Sequence, residues 1–181
     1  MKNIVSIILE AQKQLVLKPI DLAHDITHHY RVYERSLKIN NNEKLNADEN
    51  LLVVCAWYHD LGGRRGENID LLRGLLSKHT NDVNFINKVI EIICEHSYGG
   101  IQTSLESKIL FDADKMEYVN PLRLSWFLRA HKDGLLNEKK YKQYKKEWNK
   151  RIINIRKMLH FPSSQKEFSI LLPAAEKIME G

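Results

Sequence analysis

The sequence predicts an all-α protein, and three observations support this fold class. Apolar residues recur every three or four positions along most of the 181-residue chain, which is the spacing of a single helix face. Only four prolines and eight glycines punctuate it, fewer than a fold with many turns between strands needs. No stretch has the pattern of a convincing strand. With 43% hydrophobic residues, one domain with a proper core is expected.

In the first half of the chain, helical spacing between capping and breaking residues predicts five helices. The third is central, because the run Leu51 to Tyr58 is apolar nearly all round. Asn46-Ala47-Asp48-Glu49 before it is typical of a capping box, and two glycines, Gly62 and Gly63, are expected to end it. The other four are a helix at about 2–16 ended by Pro19, one reaching Asn40 after Asp25 or Thr27 as its cap, a short one at 69–76, and one opened by Thr80 or Asn81 that ends near His96.

Four helices are predicted in the second half. Thr103-Ser104-Leu105-Glu106 indicates a second capping box, and the helix after it carries Asp112-Ala113-Asp114-Lys115 before Pro121 interrupts it. The remaining three helices are expected at about 121–132, 138–159 and 164–179, with Pro173 kinking or splitting the last.

The charge is mildly basic, at a formal +5. It fits an anionic ligand such as a phosphate compound, but a nucleic-acid partner is not expected. Lysines crowd one side of helix 138–159 and its aromatic residues lie on the other, which is typical of a solvated face. The apolar stretch near Met1 is interrupted too early for a signal peptide and no segment has membrane-spanning length, so a cytoplasmic protein without a membrane partner is expected. The sequence leaves open whether the protein forms a homodimer.

The candidate chemistry is a metal site. His59 and Asp60 stand at the end of the central helix, where two ionisable side chains need compensation that a bound cation would supply. With His28 and Asp114 they make two imidazoles and two carboxylates. This set suits an octahedral divalent ion (manganese, iron, magnesium, cobalt or nickel) better than structural zinc, and it leaves positions for water and a substrate oxygen.

A resemblance to a known family gives this set more weight. A first histidine followed by Tyr30-Arg31-Val32, an apolar helix ending in His59-Asp60-Leu61-Gly62, and then Asp112-Ala113-Asp114-Lys115 resemble the HD-domain superfamily of metal-dependent phosphohydrolases. Glu95-His96-Ser97 and the later Asp-Ala-Asp-Lys motif further resemble small bacterial stand-alone HD proteins, some of which cleave nucleotides. The likeness covers roughly His24 to Val119. It implies a helical bundle over 1–181 as a single HD domain, with a motif-bearing core at about 20–132 and a C-terminal extension at about 135–181.

The same resemblance implies the ligands and their roles. The metal ligands fall on His28, His59, Asp60 and Asp114. Asp60 would also accept the proton of the attacking water, while Lys115 and His96 would offset the phosphate charge. The alternatives are a plain helix cap for His96 and a solvent-facing side chain for Lys115. His24 and His29, which flank the first ligand, are expected on the surface or just outside the ligand set.

Two departures from the family pattern narrow the prediction. HD proteins with two metals carry two extra histidines; this chain has His96 at the second such place but no histidine at the first, so one ion per chain is expected. Many HD phosphatases carry an acidic residue soon after His-Asp, where this chain has Gly62, Gly63 and Arg64.

The segment after those glycines is the candidate substrate-binding loop. Arg64 and Arg65 are candidates for a phosphate clamp, with a solvated loop as the alternative, and Glu67 is the nearest acidic residue. The sequence thus predicts a phosphohydrolase acting on a nucleotide or another small phosphate ester. The alternative is a non-catalytic HD module that binds metal and a nucleotide or partner as a sensor.

Overall fold

The computed structural model describes residues 3–18, 20, 24–63 and 67–180. Within them the chain forms nine α-helices and one short 3-10 helix, and these described ranges contain no strand. The all-α prediction is confirmed. The helices are α1 (Ile4–Leu17), α2 (Ile26–Glu43), α3 (Glu49–Tyr58), α4 (Ile69–Ser77), α5 (Val83–Glu95), α6 (Leu105–Lys115), α7 (Pro121–Lys132), α8 (Glu138–Met158) and α9 (Pro162–Glu180), with the 3-10 helix at Met116–Val119 between α6 and α7.

The chain divides into two compact units, Met1–Ala113 and Asp114–Gly181. The division falls near the end of α6, so that its last two residues, Asp114 and Lys115, count with the second unit. A single domain over the whole chain stays a prediction.

Helix α3 is the centre of the first unit, as its apolar sequence predicts. It packs against α1, α2 and α5, and seven of its ten residues are buried. Tyr58 at its end is fully buried, and its hydroxyl donates a hydrogen bond to the carbonyl oxygen of Ile7 in α1 at 3.0 Å. Because a buried hydroxyl needs such a partner, this bond fixes the end of α3 against α1.

The caps differ from prediction in several helices. Asp48, not Asn46, caps α3: its carboxylate accepts from the amides of Asn50 and Leu51 at 2.9 and 3.3 Å. Asn46 is excluded because its backbone is left-handed, with φ of +54°. The amide of Asp48 in turn donates to the carboxylate of Glu106 in α6 at 2.9 Å, so the predicted capping box is replaced by a contact from a distant helix.

The first turn of α6 is also capped differently from the prediction. Ser104 and Ser107 exchange hydrogen bonds, each amide donating to the other's hydroxyl, at 3.2 and 3.0 Å. Thr103 donates instead to the carboxylate of Glu95, through its amide at 2.9 Å and through its hydroxyl at 2.6 Å. The box is therefore shifted by one residue, which leaves Glu106 available to α3.

In the second unit, α7 packs against α9 and against the 3-10 helix, and α8 packs against α9. The indole of Trp148 donates to the carbonyl oxygen of Tyr118 at 2.7 Å, which ties α8 to the 3-10 helix. Tyr141 and Trp148 are buried while Lys139 and Lys146 are exposed, so the aromatic and basic sides of α8 are opposite, as predicted. Among the described residues, no helix combines the length and the apolar content that a membrane crossing requires.

Candidate metal centre

His28 lies in the first turn of α2. Asp25, one of the two predicted caps, begins this helix, and its carboxylate accepts from the His28 amide at 2.8 Å. This cap fixes the start of α2 and with it the level at which the His28 ring emerges. The ring is fully buried against α3.

His59 and Asp60 follow the last residue of α3, where the helix gives way to a turn. The amide of Leu61 donates to the carbonyl oxygen of Tyr58 at 3.0 Å, and that of Gly63 donates to the carbonyl oxygen of Asp60 at 3.1 Å. Gly63 has a φ of +73°, a conformation that favours glycine. The turn therefore holds both side chains at the buried end of the helix.

The His59 ring is fixed by a second contact. Its Nδ1 lies 2.8 Å from the carbonyl oxygen of Ala56, and a carbonyl can only accept, so Nδ1 carries the hydrogen. In the neutral ring, Nε2 then carries a lone pair, which is the form that binds a metal. The local helix backbone thus sets the tautomer that a ligand requires.

Three donor atoms converge at this point. The Nε2 atoms of His28 and His59 are 3.1 Å apart, and Asp60 Oδ2 is 3.0 Å from the second and 3.5 Å from the first. Adjacent ligands with bonds of about 2.1 Å lie about 3.0 Å apart around a six-coordinate ion and about 3.4 Å apart around a four-coordinate one. The three atoms therefore have the spacing of one face of a coordination polyhedron, and they fit a divalent ion.

The electrostatics of Asp60 agree with a ligand role. Burial by itself raises the pKa of its carboxyl, but the adjacent imidazoles of His59 and His28 outweigh burial and hold that pKa well below its usual range. Its Oδ2 atom is buried and makes no hydrogen bond. The carboxylate is therefore held in its anionic form, which is the form that binds a divalent ion.

His96, predicted as a phosphate contact, also lies at this centre. It follows the last residue of α5, is almost fully buried, and its ring meets His59 edge-on with centroids 5.2 Å apart. Its Nδ1 contacts the carbonyl oxygen of Ile93 in the preceding turn. The structure thus places His96 beside the ligands, while its role toward phosphate stays a prediction.

His29 is the residue whose position the sequence left open, between the surface and a place just outside the ligand set. A surface place for it is wrong, because its side chain is fully buried, with its ring 4.6 Å from that of His59. Burial, the largest contribution, lowers the pKa of His29 well below its usual range. Only the doubled histidine at 28–29 marked it, and nothing local told which ring faces the core.

The other candidates are distributed as follows. Arg64 and Arg65 lie outside the described residues. Glu67 is exposed, and its carboxylate lies over Gly63, 3.3 Å from where a Cβ of that residue would stand. Asp114 and Lys115 belong to the second unit, where they are buried and form an ion pair with each other. The fourth ligand and the phosphate contact predicted for this pair stay predictions.

Comparisons with known proteins agree with the fold. A family model described as the HD domain matches residues 25–119, more than half of the chain. No curated protein matches. A solved Listeria innocua protein aligns with a TM-score of 0.71 at 18% identity, covering 98% of this chain and 94% of its own.

Two further solved structures are similar. A predicted HD superfamily hydrolase from an uncultured Thermotogales bacterium aligns with a TM-score of 0.62 at 22% identity, covering 98% of this chain and 87% of its own. Bacillus subtilis YpgQ in complex with ADP aligns with a TM-score of 0.63 at 20% identity, covering 98% and 91%. At these identities the likeness shows the shared fold.

Proposed function

The chain belongs to the HD-domain family, and on this premise we propose that it is a metal-dependent phosphohydrolase acting on a nucleotide or another small phosphate ester. The observation that carries the proposal is the group of donor atoms from His28, His59 and Asp60, which lie within 4.8 Å of one another. HD proteins are generally metal-dependent hydrolases, and this donor group is what such chemistry requires.

Some of these residues would bind the ion, and others would accept the proton or offset the phosphate charge. His28 and His59 would bind through Nε2 and Asp60 through Oδ2, with Asp114 proposed as the fourth ligand. A divalent ion bound there supplies Lewis acidity, which lowers the pKa of a water and polarises a phosphoryl oxygen. Manganese, iron, magnesium, cobalt and nickel all suit this set of nitrogen and oxygen ligands, and we propose one ion per chain.

The proton and the phosphate charge are assigned to this chain's own side chains. The second carboxylate oxygen of Asp60 would accept the proton of the attacking water. His96 at the centre and Lys115 after the proposed fourth ligand would offset the charge that develops on the phosphoryl oxygens. The loop with Arg64 and Arg65 would bind phosphate, and Glu67 would contact the polar part of the substrate.

A nucleotide is the first substrate class to test. The solved complex of the similar YpgQ with ADP supports that choice, since it places a nucleotide on a protein of the same fold. The net charge of +5 also favours an anionic substrate.

The second candidate function is a sensor that binds metal and nucleotide without hydrolysis. What favours it is the segment after Asp60, where many HD phosphatases carry an acidic residue. Here a side chain at Gly62 would run into Leu72, since its Cβ would stand 2.5 Å from that residue's Cδ1. A carboxylate residue at this position would therefore require the side chain of Leu72 to shift.

A hydrolysis screen over nucleotides and simple phosphate esters, with each of the five ions added, tests the proposal. We expect turnover of at least one compound that depends on added ion. His59→Ala and Asp60→Ala should abolish it, and His79→Gln, which changes a histidine that faces Glu10 in α1, should not. Turnover that survives verified metal removal would overturn the enzyme proposal, and tight nucleotide binding without turnover would favour the sensor.

A further inference from the structure

His29 is a buried histidine whose surroundings the ligand set does not explain. It is fully buried, and its Nδ1 lies 2.9 Å from the carbonyl oxygen of Asp25, one turn earlier at the cap of α2. A carbonyl oxygen only accepts, so Nδ1 carries the hydrogen and donates it. In the neutral ring Nε2 is then an acceptor.

The Nε2 atom of His29 lies close to a second hydrogen-bond acceptor, the Oδ2 atom of Asp60. His29 Nε2 makes no hydrogen bond, and it lies 3.7 Å from Asp60 Oδ2, which makes none either. An ion bound by Asp60 Oδ2 would satisfy that oxygen, but it would leave the buried Nε2 of His29 without a hydrogen-bond donor, which is unfavourable. A water molecule bound beside Asp60 can supply this donor, because it has two hydrogens and needs only one of them for a hydrogen bond of about 2.8 Å to His29 Nε2.

His29 differs from the three ligands in its placement. The described residues whose donor atoms group within 4.8 Å of one another are His28, His59 and Asp60, and His29 is not among them. Its ring packs on His59 at 4.6 Å between centroids and meets His28 edge-on at 5.3 Å. It therefore stands beside the ligands with its acceptor turned toward the carboxylate of one of them.

We propose that His29 is a positioning residue whose Nε2 accepts a hydrogen bond from a water molecule at the metal centre and so holds that water for attack on phosphorus. This inference rests on the proposed function and adds a role to a residue outside the ligand set. His29 keeps its own proton on Nδ1, and no covalent bond to it forms or breaks. Its contribution is the orientation of the nucleophile.

Two substitutions separate this role from a structural one. His29→Asn keeps a donor near the place of Nδ1, which can still bond the carbonyl of Asp25, but it has no atom at the place of Nε2. His29→Gln keeps a polar atom near Nε2 and loses the donor near Nδ1. If the contact between Nε2 and water matters, His29→Gln should keep wild-type water exchange and turnover and His29→Asn should not. If only the bond to Asp25 matters, His29→Asn should keep them and His29→Gln should not.

Two independent readouts apply. In the manganese-loaded protein, proton relaxation of the solvent reports how fast water exchanges at the ion, and His29→Asn should raise the exchange rate several-fold while His29→Gln stays near wild type. With an active substrate, His29→Asn should lower kcat by about ten- to a hundredfold, the usual effect of losing a partner around a metal site, with KM and manganese Kd within about threefold. His24→Gln is the matched control on the other side of His28 and should change neither readout.

The outcomes decide clearly. Unchanged water exchange in His29→Asn, or equal rescue by both substitutions, overturns the role. Loss of bound manganese in His29→Gln would make His29 a ligand and also overturn it. If no compound is hydrolysed by the wild type, the proposed function fails, but the relaxation measurement still decides about His29. If His29→Asn does not fold, nitrogen NMR of the magnesium-loaded wild type decides: a hydrogen on His29 Nε2 overturns the proposal, and a bare Nε2 supports it.

Discussion

The replacement of Asp60 by asparagine tests whether the three converging donor atoms hold an ion. The amide has nearly the shape of the carboxylate but lacks its charge, so the fold should tolerate it. Asp60 Oδ2 is the only anionic atom in the described donor group, 3.0 and 3.5 Å from its two histidine partners. We therefore expect one divalent ion per wild-type chain and almost none in Asp60→Asn, and likewise in Asp60→Ala and His59→Ala.

The expected effect on stability follows from the placement of the ligands. His28 belongs to α2 and the other two follow α3, so an ion joins two helices and is held only by the folded protein. At a free ion concentration of a hundred times Kd, such binding stabilises the fold by about 2.7 kcal/mol. At about 2–4 °C per kcal/mol for a chain of this length, the unfolding temperature should rise by about 5–10 °C.

Thermal unfolding with and without added ion, together with elemental analysis, provides the assay. Wild type and His79→Gln should show the rise, and Asp60→Asn should not. Full occupancy in both His59→Ala and Asp60→Ala would refute the assignment of the site. An unfolding temperature that does not respond to verified metal removal would show that the ion does not join the helices.

Three further predictions concern charge and packing. Lys115→Met should retain the ion, as measured by elemental analysis, and lower hydrolysis by about ten- to a hundredfold, because one charge-assisted contact worth about 1.5–3 kcal/mol is lost. Turnover by this variant at the wild-type rate would show that the Lys115 side chain takes no part in the mechanism. Gly62→Ala should lower the free energy of unfolding in urea by about 1–3 kcal/mol, because its new methyl would stand 2.5 Å from Leu72. Gly74→Ala has open space around it and should stabilise α4 by up to about 1 kcal/mol. Equal effects of the two substitutions would contradict the packing argument. The folded-state pKa of Asp60 is depressed, so its carboxylate should stabilise the metal-free fold above the ordinary aspartate pKa of about 4, and this stabilisation should be lost as the pH falls through the folded-state pKa. The difference in stability between wild type and Asp60→Asn should therefore shrink on acidification. A difference that stays constant with pH would contradict this prediction.

The helices were predictable because their signals are local. The bounds of α7 agree with the expected 121–132, and those of α8 with 138–159 to within one residue, because proline, asparagine and glycine stand next to long periodic segments. Caps were less predictable. Asn46 and Asp48 are chemically equivalent candidates before α3, and a contact with Glu106, 58 residues away, accompanies the choice of Asp48.

The candidate site divides in the same way. The metal ligands His28, His59 and Asp60 were predictable from the sequence, because their residue types and a family resemblance both indicate them. For His29 the sequence could not decide between a place on the surface and one just outside the ligand set. Adjacent residues on a helix point about 100° apart, and only the packing of α2 on α3 decides which of two neighbouring rings enters the core.

The sequence by itself thus determined the all-α class, the central place of α3, and the residues that can bind a divalent ion, because periodicity, capping and ligand chemistry are properties of short segments. Only the tertiary structure decided the distances of 3.0, 3.1 and 3.5 Å among His28, His59 and Asp60, and the approach of His29 to 3.7 Å from the carboxylate. These distances depend on how two helices pack side by side. That packing is set by the fit of buried side chains from the whole first unit, which no single segment of the chain contains.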